Sequence, residues 1–305
     1  MCGRDREASA RPGTVGEVHI LVSPRGGRGR AAAAAPIVRR VIAQAGHTPI
    51  DISGASARES AEAAEAVVAA GAERLIAVGG DGTLHLALQG TAGTDAVLGL
   101  VPAGTGNDYA RALGLFGLSV EDAAARALGP ARPVDVIRTD RRRWIAFNMT
   151  GGFTVDVNER AEQLRFPRGP SRYTVATLLT MPGLRYRELA VTVDGERSEY
   201  RSVLFAVANT PTFGGGMAIC PEADPCDGLL DVCVVGTAGR TTMLRLLPKV
   251  FNGGHVDNRH VHMLRGRTVT VEGEPIELVG DGEPIGRTPI TAEAVPGAVR
   301  FAADG

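Results

Sequence analysis

The sequence predicts two domains, an N-terminal α/β domain whose parallel sheet is wound with helices and a C-terminal antiparallel β-sandwich. In the first half of the chain, short apolar runs rich in β-branched residues alternate with longer alanine-rich runs, which is typical of a parallel sheet covered by helices. In the second half, strand-like runs follow one another with few helices between them. The pattern changes at Gly129-Pro130. We therefore predict an α/β domain over residues 17–138 and a β-sandwich over residues 139–289, within a length of 305 residues that suits two ordinary domains.

The first half reads as alternating strands and helices. Residues 1–16 are polar, and we expect them to form a disordered leader before the first strand. Strands are predicted at residues 18–22, 48–53, 74–78, 97–101 and 134–137. Helices are predicted at residues 31–45, 59–70, 84–89, 110–113 and 121–128, and the first two are closed by a glycine.

Glycine-rich turns follow three of these strands, at residues 23–30, 79–83 and 102–108. Glycine lets the backbone turn with positive φ and lets a ligand approach where a Cβ atom would block it. Ligands bind at the carboxyl ends of parallel strands, and the free N–H groups at a helix start attract phosphate. We therefore predict that Gly79-Gly80-Asp81-Gly82-Thr83 is a nucleotide-phosphate loop, with a plain strand-to-helix turn as the alternative.

From residue 139 onward, strand-like runs dominate. Strands are predicted at residues 144–149, 188–193, 202–208, 229–235, 261–264, 268–271, 276–279 and 299–302. Asp194-Gly195 is a typical hairpin turn. Helices are predicted only at residues 173–181 and 241–249.

Two acidic turns in the second half carry candidate chemistry. Asp227-Gly228 can direct a carboxylate and neighbouring carbonyl groups toward a hard cation such as Mg²⁺, and a turn without metal is the alternative. Asp281-Gly282-Glu283 places two carboxylates at a strand end, where one could take a proton from a hydroxyl nucleophile. A phosphate loop, a magnesium carboxylate and a base are the parts that a phosphotransferase needs.

Other function classes lack their motifs. The chain contains no GxxxxGK[ST] loop, no GxGxxG followed by an acid at the dinucleotide-binding distance, and no GxSxG elbow. The formal net charge of −1 gives no reason to expect a nucleic-acid partner. The chain also has neither the apolar core of a secretion signal nor an apolar run of about 18 residues. We therefore expect a cytoplasmic protein that visits the inner membrane surface if its substrate is a lipid.

The two central glycine motifs together resemble a known family. Gly79-Gly80-Asp81-Gly82-Thr83 and Pro102-Ala103-Gly104-Thr105-Gly106-Asn107-Asp108 are similar to the catalytic domain of diacylglycerol kinases and sphingosine kinases, and most of all to the soluble bacterial diacylglycerol/lipid kinases. The likeness covers about residues 17–305 and continues through Asn209, Gly214-Gly215-Gly216-Met217, Asp227-Gly228-Leu229-Leu230-Asp231 and Asp281-Gly282-Glu283. The first motif is also found in NAD kinases, whereas the second and the late Asp-Gly-Glu distinguish the two families.

The resemblance implies a fold, cofactors and site residues. It implies a nucleotide-binding domain like that of NAD kinase and phosphofructokinase, a β-sandwich lipid-binding domain, an active site between them, and a last segment, residues 290–305, that returns to the first domain. It implies ATP and Mg²⁺ as cofactors. The catalytic residues would be Glu283 as general base with Asp81 and Asp108. The nucleotide contacts would be Ser23, Ser53, Gly79, Gly80, Asp81, Gly82, Thr83, Leu84, His85, Thr105 and Asn107. The Mg²⁺ ligands would be Asp227 with the carbonyl groups of Asp224 and Leu229, and Asp135 would join the network that links this metal to the active site.

The first glycine-rich turn departs from the family. It opens with Ser23-Pro24 where the family has Asn-Pro, and Arg25, Arg28 and Arg30 stand where the family often has a lysine. Serine can still form a hydrogen bond, so we expect ATP binding to survive. Arginine holds phosphate in a forked geometry, so its exchange for lysine is not neutral.

We therefore predict a lipid kinase that transfers the γ-phosphate of ATP to diacylglycerol or a related lipid alcohol. A kinase for a soluble acceptor such as NAD and a non-catalytic nucleotide-binding module are the alternatives. Residues 164–168 and 178–186 mix large apolar with cationic residues, which indicates peripheral contact with an anionic membrane, while an ordinary core helix and surface loop are the alternative. The sequence leaves a monomer and a homodimer both open.

Overall fold

The computed structural model describes residues 16–23, 26–164, 166–167 and 171–303, and of Gly26 and Arg28 it describes only the backbone. The expected leader, apart from Gly16, lies outside the described residues, as do Pro24, Arg25, Arg165 and Arg168. The chain forms two compact units, Met1–Asp135 with Pro296–Gly305, and Val136–Val295.

The first unit is an α/β unit with a parallel sheet, as predicted. Its elements are β1 (Glu17–Val22), α1 (Arg30–Gln44), β2 (Thr48–Asp51), α2 (Ala57–Ala69), β3 (Arg74–Gly79), α3 (Asp81–Thr91), β4 (Val97–Pro102), α4 (Asp108–Ala112) and α5 (Val120–Leu128). The four strands pair in parallel in the order β2-β1-β3-β4. Their carboxyl ends therefore lie at one edge of the sheet.

Helices cover the sheet of the first unit because its central strands are apolar on both faces. Ile20, Ile76 and Val78 belong to one buried cluster with Val38 and Ile42 of α1, and that cluster also takes in the alanines of α5. Helices α2 and α3 pack together and also contact β1. This is the layered arrangement that an alternating strand-and-helix sequence predicts.

The second unit is built mainly from antiparallel strands. The elements from the end of the first unit onward are β5 (Arg132–Thr139), β6 (Trp144–Ile145), β7 (Asn148–Gly152), α6 (Phe153–Gln163), α7 (Ser171–Thr180), β8 (Arg187–Val193), β9 (Glu196–Ser202), β10 (Leu204–Ala208), β11 (Leu230–Val235), α8 (Arg240–Leu246), β12 (Val261–Gly266), β13 (Thr268–Gly273), β14 (Glu277–Gly280), β15 (Glu283–Arg287) and β16 (Ile290–Ala302). One sheet has the order β12-β11-β10-β7-β14-β15, and a second contains β16-β13-β8-β9. The predicted antiparallel β-sandwich is confirmed.

The central strands of the six-stranded sheet are buried on both faces. Phe205 and Val207 of β10 join the core shared with the other sheet. Leu204 and Ala206, which point the opposite way because side chains alternate along a strand, join a second core with residues of α6, α7 and α8. Strand β10 therefore reads as a continuous apolar run, and three helices cover the outer face of the sandwich.

Strand β16 passes from the second unit into the first. The first part of β16 lies in the second unit, where Ile290–Glu293 pair with β13 in antiparallel register. Its last residues, Arg300–Ala302, pair with β4 in parallel in the first unit. There Asp135, the suggested network residue, accepts a hydrogen bond from the Gly297 N–H at 2.7 Å.

Several elements differ from the sequence prediction. Helix α6 was not predicted, because Gly151-Gly152 suggested a break, yet Gly152 has φ of 80° and directly precedes the helix. Strand β9 was missed because its residues are mostly polar and exposed, and β15 was missed because it is short and largely exposed. Helix α3 begins at Asp81, within the glycine motif, and not at Leu84 as predicted.

Candidate functional site

The three glycine-rich turns of the first unit pack against one another. A Cβ atom on Gly80 would lie 2.9 Å from the Cα atom of Gly104, and one on Gly27 would collide with the carbonyl oxygen of Ala103. Gly27 also has φ of 57°. Only residues without a side chain allow such close backbone approach, so the glycines let three strand ends meet at one place.

The turn after β3 presents the start of a helix. Gly80 precedes α3 in an extended conformation, and its carbonyl group accepts hydrogen bonds from the N–H groups of Thr83 and Leu84 at 3.0 and 3.1 Å. The side chains of Thr83, Leu84 and His85 are buried. If the predicted nucleotide contact at Leu84 is made, it can use only backbone groups because the side chain is apolar and buried, whereas Gly82 has open space where a side chain would project.

The two predicted catalytic acids of the first unit lie beside the same glycine. A Cβ atom on Gly106 would lie 3.0 Å from Oδ2 of Asp81 and 3.6 Å from Oδ2 of Asp108. Oδ1 of Asp81 accepts a hydrogen bond from the Tyr109 N–H at 3.3 Å, and Asp108 is buried. The structure thus brings together two carboxylates that are 27 residues apart in the numbering, at the starts of α3 and α4.

Asn107 shapes the second turn. It adopts the left-handed conformation with φ of 56°. Its Oδ1 atom accepts a hydrogen bond from the Gly104 N–H at 3.0 Å, and its Nδ2 atom donates to the Gly104 carbonyl at 3.2 Å. Its side-chain amide therefore holds the turn, while Thr105, the other predicted nucleotide contact here, is exposed.

Arg30 joins the first turn to the second. Its Nε atom donates to the carbonyl group of Gly27 at 3.1 Å, and its Nη2 atom donates to the carbonyl group of Gly104. The N–H group of Ser23 donates to the Val78 carbonyl at 3.2 Å and so fixes the start of the first turn against β3. The arginine expected to offer charge to phosphate thus also positions the turns.

Ser53 is held between two strands. Its hydroxyl accepts a hydrogen bond from the Val22 N–H at 2.8 Å and donates to Oδ1 of Asp51 at 2.5 Å. Although burial raises the pKa of Asp51, hydrogen bonds from Ser53 and Arg39 bring it below its ordinary value. The predicted nucleotide contact at Ser53 would therefore use a hydroxyl that already joins β1 to β2.

In the second unit, the Asp-Gly-Glu motif separates into two roles. The buried carboxylate of Asp281 accepts hydrogen bonds from the N–H groups of Ala146, Phe147 and Asn148 at 2.6, 3.0 and 3.4 Å. Glu283 begins β15 and is exposed. Asp281 therefore anchors the turn, and Glu283 presents its carboxylate to solvent.

The predicted Mg²⁺ ligands lie in a turn where an arginine already balances the charge. Oδ1 of Asp227 accepts a hydrogen bond from the Leu229 N–H at 2.9 Å, and Oδ2 pairs with Nη2 of Arg265. The Asp224 carbonyl accepts from the Asp227 N–H at 3.4 Å. Across the β11–β12 ladder, Arg265 faces Asp231, whose pKa is raised to about 6 by burial.

This arrangement does not fit a divalent cation as it stands, because a cation at Asp227 would have to displace Arg265. Over the residues that the structure describes, no group of three or more His, Cys, Asp or Glu side chains is placed to hold a metal ion. The Mg²⁺ assignment of Asp227, Asp224 and Leu229 stays a prediction. Sequence reasoning missed Arg265 because its partner follows from the strand register, which no local motif indicates.

The competition between Arg265 and Mg²⁺ can be measured. We expect Arg265→Gln to destabilise the nucleotide-free protein by about 1 kcal/mol, because the pair is partly exposed. We also expect the midpoint of thermal unfolding of this variant to rise with millimolar Mg²⁺, since a cation that binds the folded state stabilises it. The wild-type protein and the neighbouring Arg267→Gln control should not respond. An equal Mg²⁺ response in all three proteins would show that Arg265 does not compete for the site.

Two glycines of neighbouring turns should respond differently to alanine. Gly104→Ala would drive a Cβ atom into Gly80 and the Asn107 side chain, and such overpacking costs about 1–3 kcal/mol. Gly82 lies inside α3 with no neighbour within 4 Å, so Gly82→Ala should stabilise the helix by up to about 1 kcal/mol. If phosphate approaches this turn, Gly82→Ala should nevertheless weaken ATP binding, because the added Cβ atom would stand in the way of the phosphate. Thermal unfolding measures the effect on stability, and calorimetric titration measures the affinity for ATP. An unchanged ATP affinity in Gly82→Ala would contradict close approach of phosphate at this residue.

Known proteins resemble both units. Residues 17–139 match the diacylglycerol kinase catalytic domain, and residues 148–303 match the YegS C-terminal NAD kinase beta sandwich-like domain. A diacylglycerol kinase of Mycobacterium tuberculosis is 36% identical over 292 residues, covering 94% of each chain. A protein named probable lipid kinase YegS-like from Pseudomonas aeruginosa is 32% identical over 246 residues, covering 77% of this chain and 78% of its own. The crystal structure of a diacylglycerol kinase from Bacillus anthracis superposes with a TM-score of 0.72 at 19% identity, covering 94% of this chain and 97% of the other, and so shows the same fold.

Proposed function

This chain belongs to the diacylglycerol kinase family, and we propose that it transfers the γ-phosphoryl group of ATP to the hydroxyl group of diacylglycerol or a related lipid alcohol. The observation that carries the proposal is the meeting of three glycine-rich turns beside Asp81 and Asp108 in the first unit. Backbone approach, a helix start and paired carboxylates are suited to a polyphosphate and its counter-ion. The relatives named diacylglycerol kinase or lipid kinase support the choice of acceptor.

The proposed reaction is a single displacement. The lipid hydroxyl oxygen attacks the γ-phosphorus, a new oxygen–phosphorus bond forms, and the bond from that phosphorus to the β,γ-bridging oxygen breaks. ADP leaves with the bridging oxygen, and Glu283 takes the hydroxyl proton. Phosphoryl transfer depends mainly on positioning and on balancing charge, so the N–H groups at the start of α3 would hold phosphate oxygens and Glu283 would orient the acceptor.

Mg²⁺ would neutralise part of the charge on the ATP phosphates. Asp81 and Asp108 could serve this charge balance from the protein side, since both carboxylates lie beside Gly106. Oδ1 of Asp81 also holds the start of α4, by accepting a hydrogen bond from the Tyr109 N–H. Asp81 would therefore keep the phosphate-binding turns in one arrangement as well as balancing charge.

Peripheral contact with the membrane follows from a lipid acceptor. Within the part of the chain that the structure describes, no helix is long and apolar enough to cross a bilayer. Diacylglycerol stays in the bilayer with its hydroxyl group near the surface. The protein would therefore have to come to the membrane surface to reach that hydroxyl group.

The proposal is tested by supplying γ-labelled ATP with Mg²⁺ and a set of acceptors. Diacylglycerol, monoacylglycerol, a sphingoid base, ceramide and a polyprenol are presented in mixed micelles, and NAD is presented in solution. We expect label to enter the solvent-extractable lipid fraction, with diacylglycerol among the phosphorylated acceptors. Label in NAD and in none of the lipids would overturn the lipid-kinase assignment, and ATP binding without transfer to any acceptor would favour a nucleotide-binding module.

A further inference from the structure

The exposed large apolar side chains are concentrated in two segments of the second unit. Among the described residues, the clearly exposed ones are Phe116, Phe166, Leu178, Leu179, Leu244 and Phe251. All except Phe116 fall within residues 163–187 or 232–256. Single exposed apolar residues are ordinary, but contiguous ones mark an interaction surface.

The same two segments contain no acidic residue. Residues 163–187 run from α6 to the start of β8 without Asp or Glu, and residues 232–256 run from β11 past α8 without either. The basic residues of the first segment are Arg165, Arg168, Arg172, Arg185 and Arg187, and those of the second are Arg240, Arg245 and Lys249. The chain has nearly equal numbers of acidic and basic residues, 34 and 33, so these segments depart from its overall charge balance.

The described parts of the two segments meet at residues 182–186 of the first and residues 238–240 of the second. Nη2 of Arg240 donates a hydrogen bond to the Pro182 carbonyl at 2.7 Å, and the Tyr186 hydroxyl donates to the Ala238 carbonyl at 3.4 Å. Leu178 and Leu179 precede Pro182 by about one helical turn, and Leu244 follows Arg240 by one turn, about 6 Å of helix rise in each case. The exposed leucines of α7 and α8 therefore lie within about one helical turn of the place where the two segments meet.

Acidic residues border both segments in the sequence, at Glu162, Glu188, Asp231 and Asp257, and two further acids lie beside the first segment in the structure. Asp156 and Glu159 of α6 line a cavity of about 530 Å³ together with Arg160, Arg185 and Arg187. Cations therefore outnumber acids even in that cavity. Phe116 of the first unit lies apart from this region, and its ring stays exposed although the guanidinium of Arg111 stacks on it at 3.4 Å.

We propose that residues 171–187 and 232–256 form an acid-free face that docks on a bilayer of anionic phospholipid. Leu178, Leu179, Leu244 and Phe251 enter the boundary between headgroups and acyl chains, and Arg245 and Lys249 meet the lipid phosphates. The occupant follows from charge complementarity: apolar side chains among cations, with no acid in either segment, suit a negatively charged lipid surface. The inference rests on the proposed function for its purpose, since docking would bring the enzyme to its acceptor, but binding can be measured without turnover.

The experiment is sedimentation with vesicles of phosphatidylcholine alone or with phosphatidylglycerol added. The variants are Leu244→Ser with Phe251→Ser, Leu178→Ser with Leu179→Ser, and Arg245→Glu with Lys249→Glu. Phe116→Ser and Arg58→Glu are matched controls on exposed residues of the first unit. We expect wild type and controls to bind anionic vesicles, with binding that weakens as salt rises. Each face variant should bind at least about tenfold less, because it loses either two apolar side chains that enter the bilayer or two cations that meet the lipid phosphates.

Binding of the face variants at the wild-type level, or equal binding of wild type to both kinds of vesicle, would overturn the proposal. So would a dimer in wild type that the face variants lose, because the face would then join two copies of the chain. Transfer to a short-chain, water-soluble diacylglycerol separates this result from the proposed function. The face variants should keep that activity, while its absence in wild type would reject the kinase assignment and leave the vesicle result standing.

Discussion

Replacement of Glu283 by glutamine is expected to lower kcat for lipid phosphorylation about 10³-fold, within the range that general-base catalysis contributes. Glutamine has nearly the same size but cannot take the hydroxyl proton. Glu283 is exposed at the start of β15, so the substitution should change neither the unfolding midpoint nor the affinity for ATP. The measurement is steady-state transfer from labelled ATP to diacylglycerol, with ATP affinity taken from calorimetry.

Two controls separate the base from its surroundings. Glu196→Gln changes an exposed carboxylate elsewhere in the second unit and should leave the rate unchanged. Asp281→Ala removes the buried carboxylate that accepts hydrogen bonds from the N–H groups of Ala146, Phe147 and Asn148. This change should lower the free energy of unfolding by on the order of 3 kcal/mol, because three buried donors lose their acceptor. A Glu283→Gln enzyme with a near-normal rate would remove Glu283 from the mechanism.

Replacement of Asp81 by alanine is expected to reduce kcat/KM for the lipid about 10³-fold, which corresponds to removing one preorganised electrostatic group from a phosphoryl-transfer site. The side chain could act in two ways. Its charged carboxylate lies beside the turn at Gly106, and its Oδ1 atom accepts a hydrogen bond from the Tyr109 N–H. Asp81→Asn separates them, since an amide oxygen can still accept that hydrogen bond.

If charge is the main contribution of Asp81, the asparagine variant should be nearly as slow as the alanine variant while keeping the wild-type unfolding midpoint. Asp95→Asn, at an exposed position in the same unit, is the matched control and should behave as wild type. An asparagine variant with wild-type activity would show that Asp81 only holds the turn.

The sequence indicated the fold through patterns that depend on local chemistry. Apolar strands followed by glycine and then by a helix predicted the parallel sheet of the first unit, and the hairpin at Asp194-Gly195 was predicted correctly, since both residues have positive φ. Helix α6 was missed although Phe153, Val157 and Ala161, spaced four apart, form its buried side. The preceding glycines suggested a break, whereas in the structure the second of them is the residue before the helix.

The site was less accessible to sequence reasoning because its contacts depend on which turns meet. The motif around Gly79 indicated phosphate binding, but only the packed turns show that Asn107 and Arg30 both hold Gly104. In the same way, Asp281 and Glu283 look equivalent in the sequence, and burial alone separates the anchor from the exposed acid. The partner of Asp227 depends on the register of β11 against β12, which no motif reveals.

The most direct test of the central claim, that the glycine-rich turns of the first unit bind the ATP phosphates, is amide hydrogen exchange with and without ATP and Mg²⁺. Occupancy is confirmed in the same sample by calorimetry. The account predicts slower exchange at residues 79–85 and 103–108, where the turns and the starts of α3 and α4 would meet phosphate, and unchanged exchange in the β8–β9 hairpin. Saturating ATP that leaves exchange at both turns unchanged would contradict it.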